Sequence, residues 1–168
     1  MIAEGKTFEE SKSKLQRSVK RLLLVFIAIL FVSGITAFPI EPELKIALQL
    51  IEEFQLDNIF SRWIEFVYQG VHETNENYTF ISYGTDWLAF AHLVIAVLFI
   101  GPLRDPVRNI WIIEFGIIAC IGIFPLAFIA GSVRGIPFFW QLIDCSFGIF
   151  GGALLMVCHR KVKLLEKD

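Results

Sequence analysis

Residues 136–158, IPFFWQLIDCSFGIFGGALLMVC, are the stretch that decides the fold. A helix needs roughly 20 apolar residues to cross a membrane core about 30 Å thick, and this stretch is long enough. It contains one ionisable residue, Asp144. A carboxylate in the middle of a membrane helix costs about 3 kcal/mol on insertion scales, so we expect Asp144 to face protein or water. Gly148 and Gly152 follow at intervals of four residues, which predicts a close-packing seam on the same side.

The whole chain has the composition of an integral membrane protein. Of its 168 residues, 55% are hydrophobic and 17 are Phe, and its mean hydropathy is +0.63. These values lie far from those of soluble domains, and the length suits one integral membrane domain, residues 1–168. We therefore predict an all-α fold, a four-span transmembrane helix bundle. The predicted spans are residues 22–40, 86–103, 109–131 and 136–158.

The basic residues are distributed unevenly around these spans. All of them except Lys45, Arg62 and Arg134 lie in residues 1–21, in the link 104–108 or in the tail 159–168. Segments rich in Lys and Arg stay on the cytoplasmic side of a membrane. The segment 41–85 is rich in acids instead. We therefore expect a multi-pass protein of the plasma membrane, the bacterial inner membrane, with both termini cytoplasmic and residues 41–85 outside.

A cleaved signal peptide is the alternative for the first span. A basic stretch precedes the apolar run 22–32, and Ser-Gly-Ile-Thr-Ala follows that run. Cleavage after Ala37 would, however, place Ile35 at a position that favours a small residue. Three spans remain if this cleavage occurs, and four if it does not.

The segment 41–85 predicts an external helical structure. Between residues 47 and 67, apolar residues recur at intervals of three and four with charged residues between them, which indicates two amphipathic helices. Asp57 and Asn58 interrupt the pattern where a helix cap is expected, and Gly70 suits a C-terminal stop. The helices lie in the membrane interface or fold over the outer ends of the spans. Residues 71–84 predict a loop with an extended piece at 78–81, and Thr85 predicts a cap for the second span.

Polar residues in the outer halves of the second and fourth spans form the predicted site. Asp144 lies about 12 Å inside the fourth span at 1.5 Å per residue, and His92 reaches a similar depth in the second. Short turns make spans two to four antiparallel neighbours, so the two groups can meet. They either exchange a proton in catalysis or only hold two helices together. The predicted ligand-binding residues are Asp86, His92, Arg134, Trp140, Gln141 and Asp144.

Two residues of the third span have predicted structural roles. Pro125 has no backbone N–H, so it frees the carbonyl of Ile121 and predicts a kink in the outer half of the helix. Glu114 lies towards the cytoplasmic end, where we expect an ion pair with Arg104, Arg108 or the first helix.

The sequence predicts neither a metal site nor a cofactor. Its three histidines, at positions 72, 92 and 159, fall in the outer loop, a span and the tail, so they cannot share one metal ion. The three cysteines lie in the spans or at their ends, where they are expected to pack as apolar residues. The sequence has no phosphate-binding or hydrolase motif. No nucleic-acid partner is predicted, because topology alone explains basic residues at a membrane entry.

Three functions fit these features. The first is a binding or accessory protein, whose pocket takes an amphipathic ligand such as a membrane lipid, or whose helices dock to a second copy or a larger membrane complex. The second is an enzyme that acts on a lipid with His92 and Asp144 as acid and base. The third is a proton-linked carrier in which Asp144 titrates, and a chain of this length would then need to form a dimer. The sequence favours the first and leaves open whether the protein is an enzyme.

Overall fold

The structure, a computed structural model, describes the backbone of residues 2–167 and the side chains of residues 9–166. Lys6, Lys167 and Asp168, which belong to the predicted charged ends, lie outside the described side chains. The regular elements of the described backbone are helical, which confirms the all-α prediction. They are α1 (Ile2–Thr36), α2 (Ile40–Glu53), α3 (Ile59–Asn77), α4 (Thr79–Leu98), α5 (Ile100–Arg104), α6 (Ile110–Pro125), a π-helical turn (Leu126–Ala130), α7 (Gly131–Val133) and α8 (Phe138–Lys167).

Among the described residues, four helical stretches are long and apolar enough to cross a membrane. Each stretch includes most of one predicted span. A long apolar run favours a helix because backbone groups that are kept from water must form hydrogen bonds with one another. The stretches are Glu9–Thr36, Thr79–Arg104, Ile110–Val133 and Phe138–Glu166. The chain divides into two compact units, which are described separately below. One unit contains the chain up to Ala28 together with the chain from Val97 onward, and the other is Ile29–Ala96.

The first unit is built around an extensive contact between α6 and α8. Small residues allow this close approach. A Cβ atom at Gly148 would lie 2.7 Å from the backbone oxygen of Cys120, and one at Gly152 would lie 3.4 Å from Cys120 Cβ. The predicted glycine seam of the last span is therefore confirmed. The fully buried side chains of this unit are Val19, Leu23, Phe99, Pro102, Ile113, Leu155, Cys158 and Val162.

The cysteines of this unit behave as apolar packing residues. Cys120, Cys145 and Cys158 are buried, and none of them forms a disulfide. Cys120 packs beside two glycines of α8, with its Sγ atom 3.2 Å from the position of a Cβ at Gly151. This confirms the prediction made from their positions in the spans.

Pro125 changes the hydrogen bonding of the third apolar helix. It is the last residue of α6, and the five residues that follow it, Leu126–Ala130, form a π-helical turn. Because proline cannot donate a backbone hydrogen bond, the carbonyl one turn earlier loses its partner and the next residues pair over a longer interval. The predicted disturbance at Pro125 therefore takes the form of a change in helix type.

The second unit contains α2, α3 and most of α4. Helices α2 and α3 pack against each other, and the chain between them turns through Gln55 at a φ of 51°. Asn58 then caps α3: its side chain accepts hydrogen bonds from the backbone N–H groups of Phe60 and Ser61. The hydroxyl of Ser61 in turn accepts a bond from the backbone N–H of Asn58. The predicted break at residues 57 and 58 is confirmed.

Residues 71–84 differ from the prediction. Helix α3 continues through Gly70 to Asn77, and α4 begins at Thr79, so the predicted loop and the extended piece at 78–81 are wrong. The predicted cap at Thr85 is also wrong, because Thr85 lies inside α4 and its hydroxyl donates to the carbonyl of Ser82 at 2.6 Å. The polar residues that resemble a loop in sequence lie in helices and make hydrogen bonds to other helices.

Candidate functional site

Helices α2, α3 and α4 surround a cavity of about 390 Å³ in the second unit, which we call the α2–α4 cavity. Its volume lies within the range of about 300–1,000 Å³ that is typical of small-molecule sites. Helix α3 contributes residues at intervals of three and four, which places them on one face. The apolar lining residues are Phe38, Ile40, Pro42, Phe66, Val67, Val71 and Ile81, and the polar lining residues are Glu41, Thr74, Asn75, Ser82, Thr85 and Asp86.

A chain of side-chain hydrogen bonds connects the three helices at this cavity. The Oε1 atom of Glu41 on α2 lies 2.6 Å from Nδ1 of His72 on α3. The amide of Asn75 donates to Oε2 of the same carboxylate. The hydroxyl of Ser82 on α4 donates to Oδ1 of Asn75. Both oxygens of Glu41 are therefore bonded to α3, and Asn75 extends the connection to α4.

Glu41 and His72, the two titratable groups in this series of hydrogen bonds, shift each other's pKa. Hydrogen bonds from Asn75 and His72 lower the pKa of Glu41, since both favour the ionised carboxylate. The bond to Glu41 raises the pKa of His72, and the negative charge of Glu76 acts in the same direction. Tyr68 stacks on the imidazole with ring centroids 5.8 Å apart. The geometry favours an ion pair between a protonated imidazole and an ionised carboxylate.

This ion pair stabilises the fold within a defined pH window. The contribution of His72, whose pKa is raised, is fully present below its ordinary value of 6.5 and is lost as the pH rises through the folded-state pKa. The contribution of Glu41, whose pKa is lowered, is present above its ordinary value of 4.5 and is lost as the pH falls through the folded-state pKa. Both contributions are complete between these two values.

The hydroxyl groups that line the α2–α4 cavity donate their hydrogens within the protein. Thr74 donates to the carbonyl of Gly70 at 2.7 Å, and Thr85 donates to that of Ser82 at 2.6 Å. The hydroxyl of Ser82 is directed at Asn75 rather than at a base. A serine nucleophile requires a base to take its proton, so this arrangement does not activate Ser82. The polar lining can still accept hydrogen bonds, chiefly through the carboxylates of Glu41 and Asp86.

A second cavity of about 280 Å³ adjoins the first and is mainly aromatic. Phe38 and Asp86 line both cavities. Trp87 contacts Tyr83 edge to face at 6.1 Å between ring centroids, and it contacts Phe90 in the same way at 6.2 Å. We call this cavity, lined by Phe38, Tyr83, Asp86, Trp87 and Phe90, the aromatic recess. Asp86 is its one charged residue.

The predicted site residues of the second unit have different environments. Asp86 is half-buried between the two cavities. His92 is exposed on α4, with Nδ1 3.0 Å from the carbonyl oxygen of Leu88. Because a carbonyl only accepts, Nδ1 carries the hydrogen in this contact. The pairing of His92 with Asp144 joins residues of different units and stays a prediction.

The other four predicted site residues belong to the first unit. Arg134 and Asp144 line a common cavity of about 250 Å³ beside the π-helical turn. Gln141 is buried with 4% of its surface exposed, and its Nε2 donates to the carbonyl of Ile136 at 2.8 Å. Trp140 meets the ring of Phe139 edge to face at 6.4 Å. The structure therefore brings Arg134 and Asp144 into one cavity.

Glu114 has a different partner from the expected ones. Its Oε1 atom lies 3.0 Å from Nε2 of His159 on α8, in place of an arginine or a residue of α1. The reason is that α8 continues as a helix beyond the predicted span, so its polar end runs alongside α6. Nearby, Lys161 donates to the hydroxyl of Ser18 on α1. These contacts join the polar ends of three helices in the first unit.

Sequence reasoning missed four members of the candidate site, namely Glu41, His72, Asn75 and Ser82. One signal was available: a histidine and an amide three residues apart share a face if their segment is helical. Among the side chains of residues 9–166, no three His, Cys, Asp or Glu groups are arranged to hold a metal ion. The sequence matches no protein-family model, and neither curated proteins nor solved structures give a significant match to it.

Proposed function

We propose that this protein is a multi-pass membrane protein that binds a small amphipathic molecule in the α2–α4 cavity and does not transform it. One observation carries the proposal. The cavity combines a mainly apolar wall with a few polar groups held in place by hydrogen bonds between helices. This composition is typical of ligand sites, in which the apolar wall gives affinity and a few fixed polar groups give orientation.

Binding without catalysis fits the polar groups better than an enzyme does. Glu41 accepts two hydrogen bonds and has a lowered pKa, which makes it a weak general base near neutral pH. His72 is bonded to Glu41, which raises the pKa of the imidazole, and it does not line the cavity. The hydroxyl of Ser82 donates to the amide oxygen of Asn75, which is not a base. The lipid-enzyme and proton-carrier hypotheses, which depend on His92 and Asp144, remain predictions from the sequence.

We further propose that residues 41–85 lie outside the plasma membrane, with both termini in the cytoplasm. The support is the distribution of charge, since the segments before Leu22 and after Cys158 are rich in Lys and Arg. With this orientation, α2 and α3 lie at the outer surface. Exposed apolar side chains of these helices and of the turn between them, such as Ile59 and Phe54 at 67% exposure each, contact lipid. A ligand would then enter the cavity from the outer leaflet. Reporter fusions at both termini test this orientation, and an external signal from either end would contradict it.

Filling the α2–α4 cavity tests the binding proposal. Gly70 lines the cavity, and a Cβ atom there meets nothing within 4 Å, so Gly70→Leu adds a side chain to the cavity without a clash at its first atom. Gly84→Leu is the matched control, because Gly84 is also helical, has equally open surroundings and does not line the cavity. Both variants make the same exchange in the same unit.

The assay is displacement of a fluorescent amphiphile from the protein reconstituted in lipid nanodiscs. We expect Gly70→Leu to weaken binding at least tenfold and Gly84→Leu to bind within about twofold of the unmodified protein, where tenfold corresponds to about 1.4 kcal/mol. Lipids that co-purify with the unmodified protein should also be lost from Gly70→Leu. If Gly70→Leu binds as tightly as Gly84→Leu, the cavity is not the site.

A further inference from the structure

We infer that the ligand is a cationic amphiphile, with an ammonium group bound at Asp86 and an apolar body in the α2–α4 cavity. This inference rests on the proposed function and names the chemical class of its ligand. Three features of the second unit support it: the charge of the lining, its hydrogen-bonding capacity, and the aromatic rings beside Asp86.

The charge of the lining favours a cation. Of the residues that line the α2–α4 cavity, the charged ones are Glu41 and Asp86, and both are acids. Both oxygens of Glu41 are already bonded within the protein, to His72 and to Asn75, and His72 lies outside the lining. The negative charge of Asp86 therefore dominates the space. An anionic head group would be repelled there, and a positively charged one would be attracted.

The hydrogen-bonding groups of the lining favour a ligand that donates hydrogen bonds. The hydroxyl hydrogens of Thr74, Ser82 and Thr85 are already donated to protein acceptors. Carboxylate oxygens only accept hydrogen bonds. A ligand that must satisfy Asp86 therefore donates hydrogen bonds, as a primary ammonium does with its three N–H groups, or carries a positive charge without them.

The aromatic recess provides the third and independent feature. Phe38, Tyr83, Trp87 and Phe90 line, together with Asp86, an open recess of about 280 Å³, and all four rings are exposed. The faces of aromatic rings attract cations, with tryptophan the strongest, and cages of such rings recognise ammonium groups. A carboxylate with aromatic rings beside it attracts a cation by its charge, and exposed ring faces add to that attraction. Asp86 also lines the α2–α4 cavity, so a cation bound to it has the apolar space beside it for its body.

Two sources can supply such a ligand. One is a lipid with a primary ammonium head group, and the other is a soluble amphipathic amine. Both present the same chemistry to Asp86. They differ in delivery, since the first comes from the bilayer and the second from water.

The test compares three probes with the same dodecyl chain: dodecylamine, which is protonated at neutral pH, dodecyltrimethylammonium and the neutral dodecanol. Each competes with the fluorescent amphiphile on the protein in phosphatidylcholine nanodiscs. We expect both cations to bind at least tenfold more tightly than dodecanol. Repeating the assay in nanodiscs that contain phosphatidylethanolamine distinguishes the sources. Lower apparent affinity for dodecylamine in these nanodiscs identifies a lipid ligand, and unchanged affinity identifies a soluble amine.

Variants of the recess complete the test. Asp86→Asn preserves the shape of the side chain and removes its charge, so it should weaken binding of the cations at least tenfold and change dodecanol binding less than twofold. Trp87→Leu should weaken the cations about threefold to tenfold. Trp111→Leu is its matched control, because Trp111 in the first unit is 55% exposed and Trp87 is 59% exposed. It should bind all three probes as the unmodified protein does.

The outcomes separate the two proposals. If the three probes bind equally, or if Asp86→Asn leaves the preference for cations intact, while Gly70→Leu still abolishes binding, the inference is wrong and the proposed function stands. If no probe binds the unmodified protein, the proposed function fails as well. The comparison of probes on the unmodified protein decides the question even where a variant does not fold.

Discussion

Replacing Gly148 with Ala tests the packing between α6 and α8. A Cβ atom at Gly148 would lie 2.7 Å from the backbone oxygen of Cys120 and 3.3 Å from Cε2 of Phe124. Ordinary van der Waals contact at such a position begins at 3.4 Å. The obstructing atom is backbone, so it cannot rotate away as a side chain does. The two helices must therefore separate locally to accept one methyl group.

The expected loss of stability is the difference between two effects. Overpacking at a close contact destabilises by about 1–3 kcal/mol. Exchange of glycine for alanine inside a helix contributes about 1 kcal/mol in the opposite direction. The net loss for Gly148→Ala is then about 0–2 kcal/mol, which is too variable to interpret alone.

Gly122→Ala provides the control that isolates the steric effect. Gly122 lies on α6 of the same unit, and a Cβ atom there meets nothing within 4 Å. The Gly122→Ala variant therefore gains the helix propensity of alanine without making a close contact. The difference in free energy of unfolding between the two variants therefore reports overpacking alone, and we expect Gly148→Ala to be less stable by about 1–3 kcal/mol.

The measurement is equilibrium unfolding in mixed detergent micelles, followed by circular dichroism and tryptophan fluorescence. Both variants preserve the net charge and the titratable groups, so one buffer serves for both. If Gly148→Ala is as stable as Gly122→Ala or more stable, α6 and α8 do not approach each other at Cys120, and the small-residue seam is not the basis of the first unit.

Three further predictions concern the second unit. Gly34→Ala should destabilise less than Gly148→Ala. The atom closest to its Cβ, at 2.8 Å, is the flexible end of the Leu93 side chain, and the nearest backbone atom, the oxygen of Ala89, is 3.1 Å away rather than 2.7 Å; the same unfolding assay compares them. Asn58→Ala should lower the free energy of unfolding by about 1 kcal/mol through loss of the cap, and an unchanged value would contradict the capping geometry. The stabilisation of the unmodified protein relative to His72→Gln should be greatest between pH 4.5 and 6.5 and should decline on both sides, as thermal unfolding across pH would measure.

The helical class could be predicted from sequence because hydrophobicity is a strong signal. Runs such as residues 136–158 contain enough apolar residues to form a long helix whatever their neighbours do. The glycine seam was predictable for a related reason, since residues four apart share a helix face. Asn58 was predictable as a cap because its side chain can bond to the following backbone N–H groups. Each of these predictions depends on residues close together in sequence.

The stretch 71–84 could not be predicted in this way. Asn and β-branched residues weaken helix propensity, and a loop is the natural interpretation of VHETNENYTF. In the structure, Asn75 and His72 bond to Glu41, which lies more than thirty residues earlier in the chain. Contacts made by the folded chain therefore override local preference, and a window of sequence cannot contain them.

The residues of the candidate site differ in the same way: one was predicted from the sequence, and the others depend on contacts between helices. The sequence predicts Asp86 as a ligand-binding residue because it begins the second span, where polar groups of antiparallel neighbouring spans can converge. Glu41 was not identified, since it is one of several acids in a segment where topology already explains acidic residues. Its selection depends on the packing of α2 against α3, which brings Glu41 to His72 and Asn75. The Glu114–His159 pair was missed for the same reason, because a polar tail predicts no helix that would carry His159 to α6.

The weak helix propensity of residues 71–77 connects the stability of the second unit to its proposed function. These residues remain helical through bonds to Glu41 and Ser82, and the same bonds fix the polar lining of the α2–α4 cavity. A ligand that binds only the folded cavity stabilises it by an amount set by its concentration, about 2.7 kcal/mol at one hundred times the Kd. Binding at Asp86 on α4 and ordering of α3 then reinforce each other, because both require the cavity to be formed. A site built from strongly helical residues would lack this coupling, so the composition that conceals the helix in sequence would let the proposed ligand control it.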